Sequence, residues 1–120
     1  MAKKILIVDD NPNMSSLLSE MLEVFDYASV RAADGTEALT VLENGDFSMV
    51  ITDMRMPNMT GLELLGEVKS RFPKMPVVLI SGYSLQEIEK QEPGSYKADG
   101  FLGKPLMMSD IEKLLNSLLR

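Results

Sequence analysis

The chain has 120 residues, enough for one domain around one core, and its 45% hydrophobic content is ordinary for a soluble globular protein. Its 12 basic and 18 acidic side chains leave a net charge of −6, which argues against the basic footprint of a nucleic-acid binder. Cysteine and histidine are both absent, which excludes disulfides, thiolate nucleophiles, thiolate metal sites, a histidine base and a phosphohistidine carried by the chain itself.

Met-Ala-Lys-Lys opens the chain, and only four apolar residues, Ile5 to Val8, follow before two aspartates. A signal-peptide core needs ~7–15 apolar residues and a membrane span ~20. The expectation is a cytoplasmic protein with no membrane insertion. The first strand is predicted at about Lys4–Val8. Asn11-Pro12 then opens a helix, a polar cap before a proline at the first helical position. Met14, Leu17, Leu18, Met21, Leu22 and Phe25 fall on one face of it.

A short strand is predicted near Ser29–Ala32. Asp34-x-x-Glu37 resembles a capping box, with Ala38, Leu39 and Leu42 inward and Gly45 as the stop. The third strand is predicted at about Met49–Thr52 and ends at Asp53. Met54–Thr60 reads as a loop containing Pro57. Gly61–Arg71 returns to helix, with Leu62, Leu65 and Val68 inward, and Pro73 and Pro76 bracket its exit.

Val77–Ile80 is the fourth predicted strand and leads into Ser81-Gly82. A helix is expected to begin near Ser84, with Leu85 and Ile88 inward, and to end early at Pro93-Gly94. Gly100–Leu102 is the fifth strand, with Lys104-Pro105 just beyond it. Ser109-x-x-Glu112 is expected to cap the last helix, whose stripe is Ile111, Leu114, Leu115 and Leu118. The order is (βα)5, and right-handed crossovers put helices on both faces of a parallel sheet.

Side chains at the carboxyl ends of adjacent parallel strands converge in one crevice. Asp9, Asp10, Asp53 and Lys104 would therefore meet. Three carboxylates repel one another unless a divalent cation binds or one takes up a proton. Singly, each residue has an ordinary explanation. Asp10 would cap a helix, Asp53 and Ser81-Gly82 would make turns, and Lys104 would sit in solvent. Together they occupy the ends of strands 1, 3, 4 and 5, and that conjunction points to chemistry.

The chain resembles a response-regulator receiver domain of two-component signalling. The matching stretches are Ile5-Leu6-Ile7-Val8-Asp9-Asp10, Asp53-Met54-Arg55-Met56-Pro57-Asn58-Met59-Thr60-Gly61, Leu79-Ile80-Ser81-Gly82 and Ala98-Asp99-Gly100-Phe101-Leu102-Gly103-Lys104-Pro105. The resemblance covers residues 1–120 as a single receiver domain. It implies a doubly wound, flavodoxin-like α/β fold with strand order 2-1-3-4-5.

It also implies roles. Asp53 would accept the phosphoryl group from a histidine kinase or histidine phosphotransfer protein. Asp10, Asp53 and the backbone carbonyl of Arg55 would hold Mg2+, with Asp9 acting mostly through a bound water. Lys104 would pair with a phosphoryl oxygen, and Ser81 would hydrogen-bond another. Phe101 would turn inward as the aromatic switch, a cis peptide would precede Pro105, and an output partner would read the change. The chain would assist its own phosphorylation without being a conventional enzyme. Arg55 and Tyr83 would shield the phosphorylated aspartate from water, and Met14 and Leu17 would face the donor.

The helix expected near Ser84 departs from the family pattern at Pro93-Gly94 and Ser95-Tyr96-Lys97, and Gly103 is more flexible than usual before the lysine. The ten methionines read as core filler, three of them (Met54, Met56 and Met59) around the phosphorylation loop. The main rival is a Mg2+-dependent phosphohydrolase with an aspartyl nucleophile, but those enzymes carry Asp-x-Asp after strand 1, and here the pair is adjacent. A nucleotide or flavin module would need a glycine-rich phosphate loop, which follows none of the strands. The intact acidic set argues against a pseudo-receiver that binds partners without phosphorylation.

Overall fold

The computed structural model describes residues 3–82 and 97–119. Five parallel strands form one sheet: β1 (Lys4–Val8), β2 (Ala28–Ala32), β3 (Met49–Asp53), β4 (Val77–Ser81) and β5 (Gly100–Gly103). Their order is β2-β1-β3-β4-β5. Four described helices flank them: α1 (Pro12–Val24), α2 (Gly35–Glu43), α3 (Gly61–Arg71) and α4 (Met108–Leu119). The helix expected near Ser84, with Leu85, Ile88 and its stop at Pro93-Gly94, lies outside the described residues. Among the described residues no helix is long and apolar enough to cross a membrane.

The central strands are covered on both sides, so their sequences are continuous apolar runs rather than alternating ones. Ile5, Ile7, Met49, Ile51, Val78, Ile80 and Leu102 pack with α1 and α4 on one face. Leu6, Val8, Val50, Val77 and Leu79 pack with α2 and α3 on the other. Each such fully buried side chain contributes about 1.5–3 kcal/mol relative to exposure. A one-residue slip in β1 would exchange the two sets, which pins Val8 opposite Thr52 and fixes where the strand ends fall.

The Asn11 side chain accepts from the N–H groups of Asn13 and Met14 at 3.0 and 3.4 Å, with Pro12 in the first turn, as expected. Asp34 Oδ1 accepts from the Glu37 N–H at 2.8 Å, but the Glu37 carboxylate accepts from the Ala33 N–H, not from the cap's own. The complete capping box is Thr60–Glu63, with both reciprocal bonds at 3.1 Å.

Two expectations are corrected. Ser109 does not cap the last helix: α4 begins at Met108, and the Met107 carbonyl accepts from the N–H groups of Asp110 and Ile111. In α3 the buried residues are Gly61, Leu64, Leu65 and Val68, while Leu62 is only half-buried. Leu64 is fully buried in the cluster on the α2/α3 side of the sheet, and Leu62 packs against the margin of that cluster. Ser15 is also buried on the inner face of α1, its hydroxyl donating to the Asn11 carbonyl at 3.0 Å.

The entry to β5 is held by charge. Lys69 Nζ lies 2.6 Å from Asp99 Oδ2 and 2.8 Å from the Met75 carbonyl oxygen. The Val77 N–H donates to the same aspartate oxygen at 2.8 Å. This ties the end of α3 to the starts of β4 and β5, and so sets the register that pairs Ser81 with Gly103.

Candidate functional site

Asp9 leaves β1 with its N–H bound to the Ala32 carbonyl at 3.1 Å, which holds the residue at the carboxyl end of the sheet. The residue is 5% exposed. Oδ1 accepts from the Asn11 N–H at 2.9 Å, while the buried Oδ2 has no hydrogen-bond partner. Asp10 is exposed, and Asp53, the last residue of β3, is partly buried. One oxygen from each of these three carboxylates lies within 4.8 Å of the other two.

Lys104 supplies the opposing charge, its Nζ 3.5 Å from Asp53 Oδ1. That oxygen also accepts from the Met54 N–H at 2.9 Å. The lysine N–H donates to the Ser81 carbonyl at 3.1 Å, which ties its backbone to the end of β4; the Lys104-Pro105 bond is cis. Burial pushes the Asp9 carboxyl above its ordinary value. The Asn11 N–H lowers it, the charge of Asp53 raises it again, Lys104 lowers it and Asp10 raises it.

Ser81 is buried at the end of β4, beside the β5 terminus. Phe101 stands in register with Leu79 and packs, half-buried, against the α2/α3 side of the sheet. Arg55 has an exposed side chain two residues beyond Asp53. Tyr83 lies outside the described residues. Met14 is half-buried in the first turn of α1, and Leu17 is 44% exposed on its outer side.

Two further residues, Gly61 and Thr52, shape the site through the backbone of Asp53. A Cβ at Gly61 would collide with the Asp53 carbonyl oxygen and come 2.8 Å from Met54 Cα. Only glycine lets α3 start this close to the end of β3. The fully buried Thr52 donates its hydroxyl to the Asp53 carbonyl at 2.9 Å. A glycine directly after the threonine of a Thr-x-x-Glu box is the available signal for the first; nothing in the local sequence marks the second.

The donor set is all oxygen, which suits a hard divalent cation. The buried, unpartnered Asp9 Oδ2 and the crowding of three carboxylates are both relieved by a cation, so these residues fit Mg2+.

The response regulator receiver domain model matches residues 5–116. The chemotaxis protein CheY of Pseudomonas aeruginosa is 33% identical over 120 residues, covering 92% of this chain and 94% of that protein. The response regulator FleR of the same organism is 36% identical over 107 residues, covering 88% of this chain and 22% of FleR. The chain thus spans about a fifth of that longer relative. Among solved structures, the response regulator TrrA of Thermotoga maritima in complex with Mg2+ and BeF aligns with a TM-score of 0.88 at 32% identity, over 98% of this chain and 99% of that one. TrrA in complex with the histidine kinase ThkA aligns with a TM-score of 0.87 at 32% identity, over 98% and 99% of the two chains. This chain belongs to the response regulator receiver domain family, whose members act as phosphorylation-dependent switches in two-component signalling.

Proposed function

We propose that Asp53 accepts a phosphoryl group from the phosphohistidine of a histidine kinase or histidine phosphotransfer protein, and that the modified domain changes its affinity for an output partner. The observation that carries this is the convergence of three carboxylate oxygens within 4.8 Å, with Lys104 Nζ 3.5 Å from Asp53 Oδ1. Of the three aspartates, Asp53 is the one facing the lysine.

Asp10, Asp53 and the Arg55 backbone carbonyl are the residues that would hold Mg2+, with Asp9 acting through water. Bound there, Mg2+ would neutralise the charge of the phosphoryl group. Asp53 attacks phosphorus in line as the bond to the histidine nitrogen breaks. Lys104 then exchanges its carboxylate partner for a phosphoryl oxygen, as a point charge. The Ser81 hydroxyl bonds a second oxygen, and Phe101 turns inward from its half-buried place on β5. The domain works in the cytoplasm, without direct contact to nucleic acid, and is a phosphoacceptor rather than a conventional enzyme.

Intact mass after incubation with a small-molecule phosphodonor tests the proposal. One phosphoryl group should be added, only with Mg2+ present, and none should be added to Asp53→Asn. Full labelling of that variant would contradict it.

A further inference from the structure

Asp53 is followed by a loop, residues 54–60, whose ends are held by backbone bonds. The Met54 N–H reaches the Ile80 carbonyl at 3.3 Å, and the Gly61 N–H reaches the Met54 carbonyl at 2.9 Å. The crest of the loop, Asn58 and Met59, meets something else: the first turn of α2, from a different part of the chain.

Two contacts make this junction. Gly35 is buried, and a Cβ there would come 2.6 Å from Met59 Sδ and 2.9 Å from both its Cγ and its Cβ. The Cβ of Met59 moves only with its backbone, so no rotamer change would relieve the collision. The missing side chain at 35 is the seat that lets the loop close down. Beside it, Asp34 uses Oδ1 to cap α2, and its Oδ2 faces Asn58 Nδ2 at 3.5 Å. Asn58 holds φ 70, a left-handed conformation that asparagine tolerates better than most residues. Met59 also packs against the apolar face formed with α2 and α3.

We propose that Gly35 and Asp34 are positioning residues for the phosphorylation loop, seating Met59 and Asn58 so that residues 54–60 stay fixed beside Asp53. They touch none of the reacting groups. The inference rests on the phosphoacceptor reading, because the loop includes Arg55, whose carbonyl is assigned there to the cation. Outer-shell partners of a metal site change its affinity by about 10–100-fold when removed. One shell further out, about three- to tenfold is expected.

The test uses Gly35→Ala, Asn58→Gly and Met59→Leu. Asn58→Gly keeps the left-handed backbone and removes the amide, and Met59→Leu nearly conserves volume. Two readouts are taken well below the melting temperature: the Mg2+ dissociation constant by calorimetry, and amide hydrogen exchange at Met59 and Gly61 in metal-free protein. Gly35→Ala should weaken Mg2+ binding about three- to tenfold and speed both exchanges. Asn58→Gly should do the same to a smaller extent, and Met59→Leu should match the wild type. A purely structural role would lower the melting temperature but leave the Mg2+ constant of the folded protein unchanged, and that result overturns the proposal. Should Gly35→Ala not fold, unchanged affinity and exchange in Asn58→Gly overturn it, and altered values support it. Absence of Mg2+ binding in the wild type would defeat the phosphoacceptor reading, while metal-free exchange would still judge the seat itself.

Discussion

Lys104 Nζ stands 3.5 Å from Asp53 Oδ1, while the backbone N–H of the same lysine is bound to the Ser81 carbonyl. One residue thus joins the ends of β3, β4 and β5. The side-chain pair is partly exposed, 37% at the lysine and 13% at the aspartate, so solvent screens it. Lys104→Ala should therefore change the unfolding midpoint little, by less than about 1 kcal/mol. A charge-assisted bond to the phosphoryl group is worth about 1.5–3 kcal/mol, so labelling by a small phosphodonor should slow about 10- to 100-fold. Rapid-quench labelling beside a urea melt separates the two effects.

Asp9 is a source of instability in the metal-free domain. The folded state holds its proton more tightly than the unfolded chain, because its pKa is raised from 3.8. Stability from this group is therefore greatest below the unfolded value and is lost as pH rises through the folded one. Asp9→Asn should stabilise the metal-free protein at pH 7 by about 1–3 kcal/mol, the usual penalty for a buried unsatisfied group. The gain should fade at acidic pH. Mg2+ should raise the wild-type melting temperature more than that of the variant. Melts at several pH values, with and without Mg2+, check both signs.

Two glycines of α3 should respond in opposite directions. Gly61→Ala drives a methyl into the Asp53 backbone and should destabilise by about 1–3 kcal/mol. Gly66 is exposed within the helix, and a Cβ at that position would meet nothing within 4 Å, so Gly66→Ala should stabilise by about 0.8–1.0 kcal/mol. Denaturant midpoints measure each.

The outer side of α1 is where a donor would dock. Leu17 is 44% exposed beside the half-buried Met14, and its replacement leaves the core intact. Leu17→Lys should slow phosphotransfer from the cognate kinase by tenfold or so, a loss of about 1.4 kcal/mol, and leave small-donor labelling unchanged. Parallel loss of both activities would instead indicate misfolding.

How much of this is legible in the sequence follows from the range of the forces involved. The β1 and β3 runs are buried on both faces, so apolar continuity marks them and locates Asp9, Asp10 and Asp53 at their ends. Lys104 follows for the same reason after Gly100–Leu102. The phase of α3 is ambiguous because Leu62–Leu65 and Leu64–Val68, three and four residues apart, both fit helical spacing; packing against the sheet buries the second pair. Ser109 fails as a cap because the Met107 carbonyl starts the helix two residues earlier. The need for glycine at 61 has only its place beside the Thr60 cap to mark it, whereas the seat at Gly35 arises against Met59, from a distant segment, and no local pattern carries it.

Asp53, and no other side chain, is expected to carry the phosphoryl group. An aspartyl phosphate is an activated acyl group, and borohydride reduces its carboxyl carbon to the alcohol, converting the residue to homoserine. Peptide mapping by tandem mass spectrometry, after phosphodonor treatment and reduction, then identifies the position directly. Homoserine at position 53 alone is the predicted result. Homoserine at position 9 or 10, or unmodified Asp53 in a protein that has gained a phosphoryl group, would contradict the assignment.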